Sequence, residues 1–369
     1  PKIAIIGGGP AGLTLARLLH LSPHPISYTI FELSASPPSR IHNGGTLDLH
    51  TNTGLAAIRN CGLWSSFEQH ARREGEELIF CDKHYTQLVH LRGGKRDRPE
   101  IDRQRLQEVL LDSLPAERIV WGRKVVEVLS DGRIRFEGVE ELAGPFDLII
   151  GADGAYSRVR ARLHGKTPLY AGVSGYELEI RTPTTTCPDL NARVGRGSFF
   201  GSSDRKFLNC QRLGTDALKV RAWFPCPEGE AKQYVSSFGN EKTVLMLLER
   251  YKDWAPEITE LLRQADPETL RDWTLYELPV PSRWEHKEGL TLVGDAASLA
   301  TPFSGEGVNK AMTDAMELAE LIGKSLDPGE EMTLDEAVRR YEEGMFPRAE
   351  EIQVTTLVNK ELMFGGTAP

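Results

Sequence analysis

The stretch that most restricts the fold comes first in the chain. Ile3, Ala4, Ile5 and Ile6 form a continuous apolar run, as in a strand buried on both faces. Gly7-Gly8-Gly9-Pro10-Ala11-Gly12 follows at once, and a helix then carries Ala11, Leu15, Leu18 and Leu19 on one face. Tyr28-Thr29-Ile30-Phe31 reads as a second strand, closed by Glu32. This is a G-x-G-x-x-G fingerprint with strand, helix and acid in register. Gly7 serves the tight turn, Gly9 lets a pyrophosphate approach the backbone, and Gly12 lets helix and strand pack closely. Glu32 lies 20 residues past Gly12, where a carboxylate accepts hydrogen bonds from an adenosine ribose. The expectation is a Rossmann-like α/β sheet that binds a dinucleotide.

Two later strand ends repeat the theme. Phe146-Asp147-Leu148-Ile149-Ile150 runs into Gly151-Ala152-Asp153-Gly154 and then Ser157-Arg158-Val159-Arg160. Leu290 to Val293 runs into Gly294-Asp295, then Pro302-Phe303 and the pair Gly305 and Gly307. A helix follows with Val308, Ala311, Met312, Ala315, Leu318, Ala319 and Ile322 at helical spacing. The first N–H groups of such a helix lack partners and carry partial positive charge, which suits an anionic ligand. Asp295 stands at a strand's carboxyl end, where open α/β sheets place ligands. Taken alone, the stretch reads equally well as an ordinary strand–loop–helix corner.

Other segments are less specific. Residues 33–50 form a polar, Pro-rich loop in which Arg40 either touches a phosphate or is solvated. Residues 54–70 read as helical, Glu77 to Val89 as short strands and Gly93 to Pro99 as a basic turn. Asp102 is read as the cap of a helix bearing Leu106, Val109, Leu110 and Leu114. Arg103 in its first turn opposes the helix dipole, so it either meets an anion or is simply exposed. A hairpin is expected around Asp131-Gly132. From Gly172 to about Phe224 the pattern becomes period two, the mark of an antiparallel sheet. There Leu218, Val220, Ala222 and Phe224 alternate with Lys219, Arg221 and Trp223. Glu241 to Arg250 and Ala255 to Gln264 read as helices, and Leu275 to Val280 leads back to the Leu290 strand. Thr333-Leu334-Asp335-Glu336 opens a helix that Pro347 is expected to break near Phe346. A last helix carries Ile352, Val354, Leu357, Val358 and Leu362.

Composition excludes some partners. A net charge of −9 argues against nucleic acid or an anionic membrane as the main partner. There is no apolar run of the roughly 18 residues a membrane span needs. The 5 cysteines form no CxxC pair, which points to reduced thiols and no zinc site. With no Asn-x-Ser/Thr acceptor, a cytoplasmic protein is expected. The chain starts at Pro1 without an initiator Met, so an upstream targeting segment stays open. Gly165-Lys166-Thr167 and Gly323-Lys324-Ser325 lack the earlier Gly of a P-loop.

Three glycine–acid turns in this order resemble a known family. IIGGGPAG is similar to the FAD fingerprint of class A FAD-dependent monooxygenases of the para-hydroxybenzoate hydroxylase type. DLIIGADGAYSRVR resembles their Asp-Gly motif, and LVGDAASLATPFSGEGVN their Gly-Asp motif. Within that family NGGTLDLH, PEIDR and TPFSGEGVN look most like the tetracycline-inactivating monooxygenases. The resemblance implies a Rossmann-like FAD-binding domain, an inserted antiparallel-sheet substrate domain and a C-terminal bridging helix. The FAD domain would comprise 1–72, 102–172 and 286–345, the substrate domain 73–101 and 173–285, and the bridge 346–369.

It also implies roles. Gly7, Gly9 and Gly12 would hold the FAD pyrophosphate, Glu32 the adenosine ribose and Asp295 the ribityl chain. Pro302, Gly305, Gly307, Val308 and Asn309 would face the isoalloxazine. Asp48 and Arg103 match FAD-contacting positions, Arg40 a position linked to FAD or NADPH, and Asp153 one near the cofactor. NADPH or NADH would reduce FAD, and O₂ would add to give a C4a-hydroperoxide that hydroxylates an aromatic or polycyclic enol or phenol, tetracycline-like by the closer resemblance. That likeness carries antibiotic resistance with it. Phe303 would line the substrate side. Phe200, Glu177, Lys219 and Arg221 are further substrate candidates, with Phe200 equally readable as core and the two cations as solvent-facing. Two departures stand out. Leu33 replaces an Arg after the ribose-binding acid, and Glu177 and Ser198 stand where the tetracycline enzymes present an amide and an arginine. A monomer or weak homo-oligomer is expected. The alternatives are a same-fold FAD-dependent reductase and a non-catalytic, flavin-binding sequestering protein.

Overall fold

The computed structural model describes residues 1–37, 44–94 and 97–365. The first unit is β1 (Lys2–Ile6), α1 (Pro10–Leu21) and β2 (Ser27–Phe31). Next come β3 (Thr46–Asp48), α2 (Gly54–Asn60), α3 (Trp64–Glu68), β4 (Leu78–Cys81) and β5 (Gln87–Leu91). They are followed by β6 (Glu100–Asp102), α4 (Arg103–Leu111), β7 (Ile119–Val120), β8 (Val125–Val128), β9 (Ile134–Phe136), β10 (Leu148–Gly151) and α5 (Arg158–Leu163). The middle of the chain holds β11 (Leu169–Arg181), α6 (Pro183–Thr186), α7 (Pro188–Val194), β12 (Ser198–Ser203), β13 (Lys206–Arg212) and β14 (Ala217–Pro225). The chain closes with α8 (Glu230–Arg250), α9 (Pro256–Gln264), β15 (Asp266–Glu277), β16 (Leu290–Leu292), α10 (Gly307–Lys324) and α11 (Leu334–Phe364).

Two large sheets organise these elements. The first is parallel, in the order β16-β10-β1-β2-β7. Ile3, Ala4 and Ile5 are fully buried in it, which explains why β1 is apolar without alternation. The second sheet runs β15-β11-β14-β13-β12-β4-β5 and is antiparallel except between β12 and β4. Helices α8 and α9 cover one of its faces, where Leu218, Val220, Ala222 and Phe224 join their core. The opposite face carries Val173, Phe207 and Trp223, packed on Phe303 and Phe364. The fold is therefore a Rossmann-like parallel sheet joined to a largely antiparallel one, as expected.

Several local expectations change. Residues 54–70 make two short helices, α2 and α3, and α6 and α7 interrupt the expected run of strands. α8 begins at Glu230, eleven residues before the expected start, and kinks at Gly239, whose φ is 80°. β15, at Asp266–Glu277, is a strand that the sequence pattern did not mark. Asp102 sits at the N-cap of α4 but makes no capping bond. Its carboxylate instead accepts from Gly214 N at 2.9 Å and pairs with Arg72 at 3.1 Å.

Pro347 does not end its helix: α11 runs unbroken for 31 residues with Pro347 inside. Proline removes a helix bond and costs about 3 kcal/mol. Tertiary contacts offset that. Tyr341, Met345 and Ala349 are buried, and the Tyr341 hydroxyl donates to Leu292 O at 2.9 Å. Arg348 pairs with Asp314 at 2.9 Å and Glu317 at 2.6 Å. The far end of α11 reaches the second sheet, where Lys360 pairs with Glu277 at 2.5 Å. Thr333 caps α11 as expected, accepting from Glu336 N.

Arg348→Met takes one cation from the fully buried Asp314. The expected loss is about 1–3 kcal/mol of stability, read as a lower urea midpoint. An unchanged midpoint shows that α11 is held without this pair.

Candidate active site

Strands β16, β10 and β1 are neighbours, so their three terminal turns lie side by side at one edge of the parallel sheet. The glycines explain how closely they meet. Gly7 has φ +111°, and a Cβ there would stand 2.3 Å from the Ala152 carbonyl oxygen. A Cβ on Gly12 would stand 2.1 Å from the Gly7 oxygen. Gly9 is different: nothing lies within 4 Å of its Cβ position, so the start of α1 is open at that point. Glu32 is fixed beside it. Its Oε2 accepts from Gly8 N at 2.6 Å, and its Oε1 accepts from Ser34 N at 2.9 Å.

At the second turn, Asp153 is used largely by its own loop. Its Oδ2 accepts from Arg158 N at 2.7 Å, while its Oδ1 is buried without a partner. Desolvation raises its carboxyl above the usual range. Arg160, which the sequence reading did not single out, is 2% exposed and joins this turn to the third. It donates to Ala296 O at 3.0 Å and also to Ala155 O.

The third turn bears Asp295 beside Lys310, the second residue missed. Lys310 is 4% exposed, donates to Gly294 O at 3.3 Å and pairs with Asp314 at 2.6 Å. Asp295 is open to solvent but walled by protein. That desolvation raises its carboxyl, opposed first by Lys310 and then by Arg103. Arg103 is likewise open yet desolvated, which lowers its guanidinium. Asp295 and Glu177 act on it the other way, and Arg221 adds to the lowering. Arg103 lies against Gly44 and Arg221 against Gly45, and Arg221 pairs with Glu177, so residues spread across the sequence meet in one cleft where the two sheets face each other. Arg103 is exposed and makes no ion pair among the described residues, with Asp295 as the acid that acts on it most.

The start of α10 also borders this cleft. Gly305 and Gly307 are exposed, with nothing within 4 Å of either Cβ position. Pro302 is exposed and Val308 half-buried. The Asn309 side chain turns inward: Oδ1 accepts from His50 N at 2.9 Å and Gly54 N at 3.2 Å, and Nδ2 donates to Asp48 O at 3.0 Å. Asp48 places its carboxylate on the His50 ring at 2.9 Å. Arg40 lies outside the described residues.

Above the cleft, β14 settles two open readings. Lys219 and Trp223 are each 5% exposed and Arg221 is half-buried, so these side chains face inward rather than to solvent. Their charges are matched: Arg221 pairs with Glu177 at 2.7 Å, and Lys219 with Glu179 at 3.2 Å and Glu177 at 3.5 Å. Phe199 belongs to the core under α8 and α9, while Phe200 faces the cluster around Phe303. Phe303 lies edge-on to Phe207 and Trp223 and 5.0 Å from Phe364.

The fold and this cleft define a dinucleotide-binding α/β protein whose cofactor would lie across three strand ends. Residues 2–352 match the family described as FAD binding domain. The chain is 36% identical over 368 residues to monooxygenase asqM of Emericella nidulans, covering 86% of this chain and 83% of that one. It is 35% identical over 416 residues to monooxygenase penA of Penicillium thymicola, covering 98% and 95%. The chain belongs to the class A family of FAD-dependent monooxygenases. Among solved structures, Klebsiella pneumoniae HpxO with FAD and uric acid matches with a TM-score of 0.80 at 21% identity, covering 99% of this chain and 89% of that one. The tetracycline destructase Tet(51) matches with 0.70 at 20%, covering 99% and 92%. Those two likenesses speak for the fold. Among the described residues no helix is long and apolar enough to cross a membrane.

The residues fit FAD. At Gly9, Gly305 and Gly307 nothing lies within 4 Å of the Cβ position, so the backbone is open to a ligand there. Asp295 supplies an acceptor for hydroxyls, and two helix starts supply N–H donors for anionic groups. Gly12→Ala is the direct test of the first turn. The added methyl collides with Gly7 O, so about 1–3 kcal/mol of stability should be lost together with FAD affinity. Measured FAD binding equal to wild type would show that the turn tolerates the shift.

Proposed function

We propose that the protein uses NADPH or NADH and O₂ to hydroxylate an aromatic or polycyclic enol or phenol. The observation that carries this reading is the shared cleft. Asp295 and Arg103 are exposed at the parallel sheet's edge, and the ring cluster around Phe303 packs on the face of the second sheet that carries Trp223. Bound FAD supplies the chemistry, taking a hydride from the nicotinamide and delivering one oxygen atom of O₂.

The chain's residues position and shield that chemistry. Gly7, Gly9 and Gly12 present the start of α1 to the pyrophosphate, and Glu32 takes the adenosine ribose. Asp295 accepts from the ribityl hydroxyls. Arg103 and Asp48 flank the cofactor, and Asp153 holds its turn in shape beside it. The open N–H groups at Gly307 and Val308, with Pro302 and Gly305 before them, would hold the pyrimidine edge of a bound isoalloxazine. Their partial positive charge favours the reduced anion there. Asn309 fixes that helix start from behind. The substrate lies against Phe303 and Phe200, in a space that the rings keep dry. Glu177, Lys219 and Arg221 form its polar side, and their pairing leaves no isolated charge.

A tetracycline-like substrate is the narrower version. It rests on the resemblance carried by TPFSGEGVN and NGGTLDLH. The Glu177 and Ser198 departures weigh against it, so the broader aromatic class is preferred. The enzyme is read as cytoplasmic, monomeric or weakly self-associating.

The test is a flavin spectrum followed by stopped-flow NADPH and NADH oxidation with a panel of polyphenols and tetracyclines. Ligand-stimulated, oxygen-dependent oxidation is expected. FAD bound without such turnover supports the reductase or the sequestering protein instead. Asp295→Ala should weaken FAD binding about tenfold or more while the apoprotein stays folded, since it removes a charged hydrogen-bond acceptor worth roughly 1.5–3 kcal/mol. Retained affinity counts against the ribityl role.

A further inference from the structure

We infer that His50 is a positioning residue that tunes the flavin: as a cation between Asp48 and Glu306, it screens a carboxylate that would otherwise oppose the reduced cofactor at the start of α10. This rests on the placement of FAD proposed above.

The geometry is specific. Glu306 immediately precedes Gly307, the first residue of α10. A carboxylate at that point adds negative charge where the helix start is otherwise positive. The His50 ring lies between two acids, with Nε2 2.9 Å from Asp48 and Nδ1 3.4 Å from Glu306. The ring is largely buried, at 13% exposure, while Asp48 and Glu306 are 41% and 33% exposed. Its backbone is held as well, because His50 N donates to Asn309 Oδ1 at 2.9 Å. One residue therefore joins β3 to the start of α10 through its main chain and its side chain together.

The charges around it agree. The hydrogen bond to Asp48 first, and that to Glu306 second, raise the imidazole from 6.5 to about 9, against the effect of burial. Other elements nearby bring Glu100, opposite Asp48 on β6, whose carboxyl burial pushes up to about 7, and Asp97, which accepts from Thr51. No cation other than His50 is paired with Glu306 among the described residues. With His50 protonated, the trio Asp48, His50 and Glu306 carries one negative charge; without it, two. A histidine raised by its partners stabilises the clamp fully below 6.5, and that contribution disappears as pH rises through about 9.

The experiment is spectroelectrochemical titration of the FAD-loaded protein at pH 7, in wild type, His50→Gln, Glu306→Gln and the double variant. His50→Gln should lower the midpoint potential, corresponding to reduced FAD bound roughly three- to tenfold more weakly relative to oxidised FAD. Adding Glu306→Gln should restore it. The wild-type potential should also fall more steeply near pH 9 than that of His50→Gln. Equal potentials in wild type and His50→Gln overturn the inference. If His50→Gln takes up no FAD, the double variant decides. Uptake with a wild-type potential supports screening, and failure to bind overturns it, because packing is then what His50 supplies. Wild-type protein that binds no FAD sinks the functional reading and takes this inference with it. A normal flavin response without substrate turnover leaves His50's role standing.

Discussion

Asp314 is the interaction on which the active-site edge depends. It is fully buried in α10 and receives Gly294 N at 3.0 Å, Lys310 at 2.6 Å and Arg348 at 2.9 Å. Those donors come from the Gly294-Asp295 turn, from α10 itself and from α11. A carboxylate taken out of water is costly unless each of its oxygens is bonded, and here both are. The position of Asp295 thus follows from a buried neighbour. Arg160 does the same from the other side, holding the Ala296 carbonyl and the Asp153 turn together. Two buried ionic side chains therefore tie together two of the three turns, those at Asp153 and Asp295, that the parallel sheet merely brings close.

The difference between what the sequence revealed and what it hid follows from range. The β1–α1–β2 unit was legible because its signals are local: a run of apolar residues, glycines at fixed offsets and an acid at the end. The same holds for α10 and for the Thr333 cap. Arg160 was not legible, since its partner Ala296 lies 136 positions away. Lys310 and Asp314 read as polar positions on a helix, and nothing local says that α11 will bury them. Pro347 shows the converse. Its local rule was sound, and tertiary contacts from Tyr341, Met345 and Arg348 overrode it.

The alternation in β14 was legible in period but not in direction. A period-two strand names two faces without saying what covers each. Here α8 and α9 cover the apolar face, and the cleft covers the other, so Lys219 and Arg221 are removed from solvent as well. They are tolerated because Glu177 and Glu179 on β11 stand opposite them in the ladder, Glu177 against Arg221 and Glu179 against Lys219. The polar face of β14 is thus a set of cross-strand ion pairs, held by the sheet register.

The continuity of α11 has a consequence at the cleft. The helix starts beside β16 and ends with Phe364 against Phe303. Asn359 donates to Phe303 O at 3.0 Å, and Arg205 donates to Phe364 O at 2.7 Å. A helix broken at Pro347 would leave these contacts to a flexible joint. An unbroken one transmits the anchor at Asp314 to the rings above the cleft along a single rigid element. The rings around Phe303 and the Gly294-Asp295 turn are then both tied to one helix, so the spacing between them is fixed by helical rise rather than by the loops that join the sheets.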